Sequence, residues 1–356
     1  VNTKGIATSI ETMLRNQVSR DEKVKNAYLL VHSDRQDIHI NLAEGVTGSV
    51  PADPRQPIYM ASVGKLFTST LVSMLHERGM LSFDDPITEH PDRELLKGLH
   101  VHKGIDHTHE IRITHLLNQT SGLPDNFEPL LEELLADPGF RITPEEAIKW
   151  VKENSEPHFP PGTGFHYTDT NYHLLGLIVE KRTGLPFHEA LRQYFFEPLE
   201  MKHASMLHYS EPMEACSLPI ADFSIRGSRL NDVKAYGSLD YAGGGVVAPL
   251  EDLLTFMKAL VSHQLVSEST LQTMMAERNK FTIGIQYGYG IWHLTPVPLL
   301  MPKRYASWGV AGATGAFMFY HPAMDAYFIG SFNDFSYKRK CLQFMGRTMD
   351  QLWKAR

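Results

Sequence analysis

Ser62 and Lys65 stand three residues apart in the stretch YMASVGKLF, Tyr59 to Phe67, the only Ser-x-x-Lys in the 356 residues. On a helix, residues at that spacing lie one above the other with Cβ atoms about 5–6 Å apart, so the lysine amine reaches the serine hydroxyl. A serine hydroxyl is a weak nucleophile until a base takes its proton, and a lysine in a dry site or beside other cations can be neutral enough to do so. The plain alternative is a serine satisfying backbone donors at a helix start, where serine is a favoured type. Lys65 fits that alternative less well, because it lies one turn in among Leu66, Leu71, Met74 and Leu75. An unpartnered ammonium in such a place is costly.

An acyl group arriving at Ser62 also needs donors for the oxyanion it develops. The helix N-terminus offers the N–H of Ser62 itself. The stretch GVAGATGAFMFYHP, Gly309 to Pro322, offers a second donor. Glycines ahead of an alternating apolar strand let a substrate lie against the backbone at a sheet edge, and we nominate the N–H of Ala313. Tyr167 lies in the glycine-bounded stretch GTGFHYTDTNYHLLG, just ahead of a helical pattern. A phenol there can point into a cleft between lobes, although a tyrosine in such a place is also an ordinary rim residue.

The elements that must position these residues are legible in outline. Ile6, Ile10, Met13, Leu14 and Val18 recur at helical spacing, and AYLLVHS (Ala27 to Ser33) and IHINLAEG (Ile38 to Gly45) then read as two strands around a turn. A helix bearing Ser62 near its start follows and stops at Gly79. From about Asp85 to about Lys234 the pattern is mostly helical, in ITHLLNQ, PLLEELL, PEEAIKWVKEN, NYHLLGLIVEKR and FHEALRQYF. Thr143, Pro144 and Glu146 compose a capping box with proline in the first turn. A helix over Leu250 to Leu260, strand-like YGYGIWHL, AFMFYHP and AYFIGSFN, and a last helix from Lys338 to Lys354 close the chain. Strands at both ends predict an α/β (α+β) fold: one antiparallel sheet flanked by the first and last helices, with a mostly helical lobe inserted. The expected division is residues 1–84 with 235–356 for the sheet domain and 85–234 for the helical one.

Composition narrows the partners. A net charge of −7 and no run of five like charges speak against nucleic acid and anionic membranes. No apolar stretch approaches the roughly 18 residues of a membrane span, and VNTKGIATSIETML lacks a signal-peptide core. The reading leans to the cytoplasm, or to the envelope if a leader was removed. Cys216 and Cys341 form no C-x-x-C, so no disulfide framework or cysteine zinc site is expected. His100, His102, His107 and His109 crowd one loop without a carboxylate or cysteine at a ligand spacing, so they read as a solvated loop and no metal or cofactor is expected. There is no G-x-S-x-G elbow and no G-x-G-x-x-G fingerprint.

Taken together, Ser62-Val63-Gly64-Lys65, ITHLLNQTSGLPDN, FPPGTGFHYTDTNYHLLGLIVEKRTGLPF, AGGGVVAPLEDLLTFM and GATGAFMFYHPAMDAYFIGSFN resemble the serine beta-lactamase-related family. That family includes class C beta-lactamases, D-alanyl-D-alanine carboxypeptidases, penicillin-binding proteins and esterases of the same fold. The resemblance implies Ser62 as the acylated nucleophile, Lys65 as its proton partner and Tyr167 as the second acid/base group. It implies that the Asn126 amide contacts the substrate. Two motifs depart from the pattern. Where relatives read Tyr-x-Asn, this chain reads Tyr167-Thr168-Asp169, which keeps an acceptor for Lys65 and loses an amide donor. Where relatives read Lys-Thr-Gly or His-x-Gly, it reads Val310-Ala311-Gly312, with no cation to meet a substrate carboxylate. Arg182-Thr183-Gly184 mimics the missing motif but ends a helix and reads as a cap. The expectation is a serine hydrolase of a peptide, beta-lactam or ester, with Asp169, Val310 and Gly312 beside the substrate. The alternative is a penicillin-binding or sensing protein that turns over slowly.

Overall fold

The computed structural model describes residues 3–89, 93–137, 139–299 and 301–354. Nine antiparallel strands form the main sheet, in the order Asn279–Thr282, Ile285–Tyr287, Trp292–Leu294, Ser307–Ala311, Phe317–His321, Ala326–Ser331, Asn26–Ser33, Ile38–Thr47, Val50–Pro51. The two ends of the chain meet where Tyr28 to His32 pair with Ser331 to Tyr327. Successive side chains of a strand point to opposite faces, and the core follows that alternation. Leu29, Val31, Phe317 and Phe319 join Ile10, Leu14, Phe344 and Met345 beneath the terminal helices Thr3–Ser19 and Lys340–Trp353. Leu30, Val310 and Met318 join Leu66, Phe67, Leu253 and Met257 beneath the helices Gly64–Glu77 and Leu250–Val261. Each such side chain taken fully from water contributes about 1.5–3 kcal/mol.

The capping box forms as expected: the Glu146 N–H donates to Thr143 Oγ1 at 3.2 Å and the Thr143 N–H to Glu146 Oε2 at 2.7 Å. Gly184 ends the helix Asp169–Thr183 in the left-handed region at φ 71°, so Arg182-Thr183-Gly184 is a helix terminus. Two expectations need correction. Residues 197–233 hold no helix, only the short strands Ser205–Met206, Ser224–Ile225 and Ser228–Arg229, because Pro198, Pro212, Pro219 and Gly227 interrupt any helical run. YGYGIWHL is not one strand: Gly290 turns it at φ 67°, separating Ile285–Tyr287 from Trp292–Leu294. Asn279–Thr282 adds an edge strand too short and polar to stand out in the sequence.

We propose the division into residues 1–84 with 235–356 and 85–234 as an architectural one. One hydrophobic core runs across it, from Leu30 and Ile329 of the sheet through Leu66 and Leu71 to Leu116, Leu175 and Phe195.

Candidate active site

Ser62 sits in a 3-10 turn, Ala61–Val63, between the strand Ile58–Tyr59 and the helix Gly64–Glu77. Ala61 carries the reversal at φ 48°, a left-handed conformation that costs a non-glycine residue about 1–2 kcal/mol. The turn leads into a crowded helix start. A Cβ on Gly64 would fall 2.2 Å from the Gly244 carbonyl oxygen, so the helix meets the loop Tyr241–Gly245 backbone to backbone. Gly64→Ala is therefore expected to lower stability by about 1–3 kcal/mol in urea denaturation, and an unchanged midpoint would mean that the loop yields freely.

The helix brings Lys65 one residue further, fully buried. Its three N–H donors are all engaged: Ser62 Oγ at 3.2 Å, the Gly243 carbonyl at 2.6 Å, and the Asp169 carboxylate in a close ion pair. Burial alone would discharge the amine. The Asp169 carboxylate outweighs it, with Tyr167 and Asp240 acting in the same sense, and the ammonium is held well above the usual lysine range. Asp169 opens the helix Asp169–Thr183, whose N-cap Thr168 accepts the Thr170 N–H at 3.1 Å. Tyr167 is half-buried, with Lys65 Nζ 5.1 Å from its ring centroid. Burial raises its phenol above the usual range, while Lys65 and Ser62 draw it back.

These groups border a cleft of about 300 Å³ whose walls include Tyr59, Ser62, Tyr167, Asp169, Gly312 and Ala313. A Cβ on Gly312 would stand 3.2 Å from the Ser62 nitrogen and 2.9 Å from Ala61 Cβ, so only glycine lets the strand lie this close to the nucleophile. The Ala313 N–H donates to no backbone carbonyl among the hydrogen bonds of the described residues. Ser62, Lys65, Tyr167, Asp169, Gly312 and Ala313, far apart in the sequence, are thus gathered at one place.

Two expected contacts are not made. Asn126 is fully buried and stands outside the cleft wall. The neutral His173, its imidazole pushed down to about 4 by burial, donates from Nε2 to the Leu239 carbonyl at 3.0 Å. Its Nδ1 must then accept from Asn126 Nδ2, at 2.8 Å. The amide is consumed inside the helical layer, and its Oδ1 is left without a partner. Val310 is fully buried in the core with Met318, its register partner. Strand alternation turns its side chain to the face covered by the helices Gly64–Glu77 and Leu250–Val261, while Ala311 reaches the cleft. Val310 is absent from the cleft wall, and a lysine or histidine there would enter the core.

Two cleft carboxylates went unread in the sequence. Asp125 accepts the Asp169 N–H at 2.8 Å and Asp240 accepts the Tyr59 hydroxyl at 2.6 Å. Burial and the neighbouring Asp169 push both up to about 6. Asp125 follows SGLP directly, one residue from the position chosen; Asp240 had no local signal. The loop histidines have protein partners: His100 meets the Phe159 carbonyl, His102 the Pro157 carbonyl and His107 Glu110, at 3.0, 2.9 and 3.0 Å. Among the described residues no helix is long and apolar enough to cross a membrane.

The family model described as Beta-lactamase matches residues 16–343. Protein flp of Staphylococcus aureus (strain MW2) is 26% identical over 199 residues, 55% of this chain and 37% of its own length. PbpX of Bacillus subtilis (strain 168) is 24% identical over 261 residues, 72% of this chain and 57% of its own. The chain thus spans well under two thirds of either relative. Among solved structures, D-amino acid amidase from Ochrobactrum anthropi SV3, complexed with L-phenylalanine amide, superposes with TM-score 0.79 at 20% identity, covering 99% of both chains. D-stereospecific amidohydrolase from Streptomyces sp. gives 0.74 at 23% identity over 97% of this chain and 99% of that one. A penicillin-binding protein from Bacillus halodurans gives 0.73 at 23% over 93% and 98%. At these identities the superpositions establish the fold.

Proposed function

We propose that this chain, which belongs to the beta-lactamase family, is an acyl-serine hydrolase that forms a covalent intermediate on Ser62 with an amide, beta-lactam or ester substrate. One observation carries the reading: a fully buried ammonium, Lys65, donates to the Ser62 hydroxyl while an acidic partner, Asp169, stands at its other side. The proton of Ser62 passes to Lys65 Nζ as Lys65 passes one to Asp169, and Ser62 Oγ bonds to the acyl carbon. The Ser62 and Ala313 N–H groups receive the oxyanion. As the bond to the leaving group breaks, Tyr167 gives that group its proton and recovers one through Lys65 from Asp169. Water then attacks the acyl carbon, the bond from that carbon to Ser62 Oγ breaks to release the acid, and the water's proton passes to Ser62 Oγ. A relay through Asp169 takes the place of the amide that relatives carry there. The amidase and amidohydrolase neighbours support adding amino-acid amides to the proposed substrates.

Intact-protein mass spectrometry after exposure to a penicillin and to a p-nitrophenyl ester tests this. The expected result is one acyl adduct per chain with at least one reagent, and a chain unmodified by both would refute the reading. A second reading, a penicillin-binding or sensing protein with slow turnover, is favoured by the engagement of every Lys65 N–H, which leaves the amine unable to act as a free base. An adduct that persists for hours would select it.

The cleft also bears on substrate charge. Lys65 is fully engaged and Val310 lies in the core, so neither can receive a substrate carboxylate. We expect kcat/KM for a matched free acid and its neutral ester to agree within about 5-fold, because a desolvated cation would contribute about 1–3 kcal/mol to the acid, or roughly 5- to 150-fold. A larger preference for the acid would show that another cation reaches it. Lys338, exposed on the cleft wall, would then be the side chain to replace.

A further inference from the structure

Asp240 plays no part in the chemistry above, yet it is 3% exposed and borders the cleft. It ends the helix Lys234–Asp240, and a loop of unusual backbone follows. Tyr241 stands at φ 38°, a left-handed value that strains any non-glycine residue, and Gly245 at φ 75°. One oxygen of Asp240, Oδ2, ties the far end of this turn back to the residue that precedes it and to the strand Ile58–Tyr59. It accepts the Gly245 N–H and, at 2.6 Å, the hydroxyl of Tyr59, which lies 2.8 Å from the hydroxyl of Tyr236. The loop is gripped so closely that a Cβ on Gly244 would fall 2.2 Å from that same oxygen.

The other side of the loop faces the nucleophile helix and presents two carbonyls. Ala242 O accepts Thr68 Oγ1 at 2.7 Å, and Gly243 O accepts Lys65 Nζ at 2.6 Å. The three N–H bonds of an ammonium diverge at fixed angles. With one directed at Gly243 O and one at Asp169, the third points at Ser62 Oγ. If the Gly243 carbonyl moves, Lys65 is free to turn toward Asp169 and lose the serine.

We propose that Asp240 is a positioning residue for Lys65, clamping the turn Tyr241–Gly245 through the Gly245 N–H and the Tyr59 hydroxyl so that the Gly243 carbonyl holds the ammonium on Ser62. The assignment rests on the reading of Ser62 and Lys65 given above. What it requires of Asp240 is an acceptor oxygen, and asparagine supplies one. The charged and titratable groups around Asp240 are Lys65, Asp169, Tyr59 and Tyr236; the exchange leaves each of these side chains in place and removes one negative charge from among them.

The test compares Asp240→Ala with Asp240→Asn by crystal structure and by the acylation rate with a p-nitrophenyl ester. In Asp240→Ala the Gly243 carbonyl is expected to leave Lys65, and acylation to fall roughly 10- to 100-fold, the size of effect that a 1 Å misplacement produces, with KM unchanged. Asp240→Asn is expected to restore the carbonyl and most of the rate. In a Lys65→Ala background, Asp240→Ala should cost little more, whereas a general structural role would still lower the rate. Tyr59→Phe removes one of the two donors and is expected to give a smaller loss in the same direction if Asp240→Ala does not fold. A Gly243 carbonyl unmoved in Asp240→Ala, equal losses for the alanine and asparagine variants, or a rise in KM at constant kcat would each overturn the assignment. If the parent enzyme is not acylated at all, the proposed function fails, and the crystal structures still decide whether Asp240 holds the loop.

Discussion

Ser62→Ala will take up no label from a fluorescent penicillin or a p-nitrophenyl ester, and any turnover will fall by several orders of magnitude, on the order of 10⁶-fold where removal of a serine nucleophile has been measured on another scaffold. The structure makes this a clean experiment. Ser62 lies outside the hydrophobic core, and its hydroxyl accepts a hydrogen bond from Lys65. Losing a hydrogen bond of that kind changes stability by about 1–3 kcal/mol at most, so the variant should fold, and its thermal midpoint serves as the control. The strained turn at Ala61 and the close approach of Gly312 both remain, so the cleft keeps its shape. An alanine variant that labels as well as the parent would place the nucleophile elsewhere and remove the basis of the proposed function.

Lys65→Ala and Tyr167→Phe will each reduce acylation by roughly 10²- to 10⁴-fold, the range for a general acid/base group, and the double variant will lose little more than the worse of the two. Both side chains belong to one proton path, so breaking it at either point stops the same transfer. Tyr167→Phe isolates the hydroxyl, because the ring keeps its stacking on Phe281 at 5.4 Å between centroids. Lys65→Ala carries a second consequence. It leaves the Asp169 carboxylate, 7% exposed, without its counter-charge, which costs about 3–5 kcal/mol when one partner of a buried pair is removed. Lys65→Met combined with Asp169→Asn should recover most of that stability in urea denaturation and none of the activity. If the losses in Lys65→Ala/Tyr167→Phe multiply instead, Lys65 and Tyr167 act independently and the shared path is wrong.

Much of the site was legible because its chemistry is written in local patterns. Ser62 and Lys65 are one helical turn apart, so a reader of the sequence can place one against the other without knowing the fold. Gly312 and Ala313 follow from glycines beside an alternating strand, and Tyr167 from a glycine-bounded loop ahead of a helix. Asn126 illustrates the limit of local patterns: at a helix start, a single step separates Asp125 in the cleft wall from Asn126 inside the helical layer, and no local signal says which side faces out.

The sequence by itself determined that strands lie at the two chain ends, where the serine and lysine sit relative to one another, and that the second and third motifs depart from the family pattern. Those features depend on periodicity and on neighbours within one turn, where the covalent chain sets the geometry. Tertiary structure decided everything that depends on partners distant in sequence. It gave Lys65 a carboxylate 104 positions away, which keeps it charged, and a carbonyl acceptor 178 positions away. It also turned Val310 into the core, because the side of a strand that faces the helices is chosen by what packs against the whole sheet. Asp240 belongs to the same class: its two donors, Tyr59 and Gly245, are brought together only when the strand Ile58–Tyr59 pairs with Val246–Ala248.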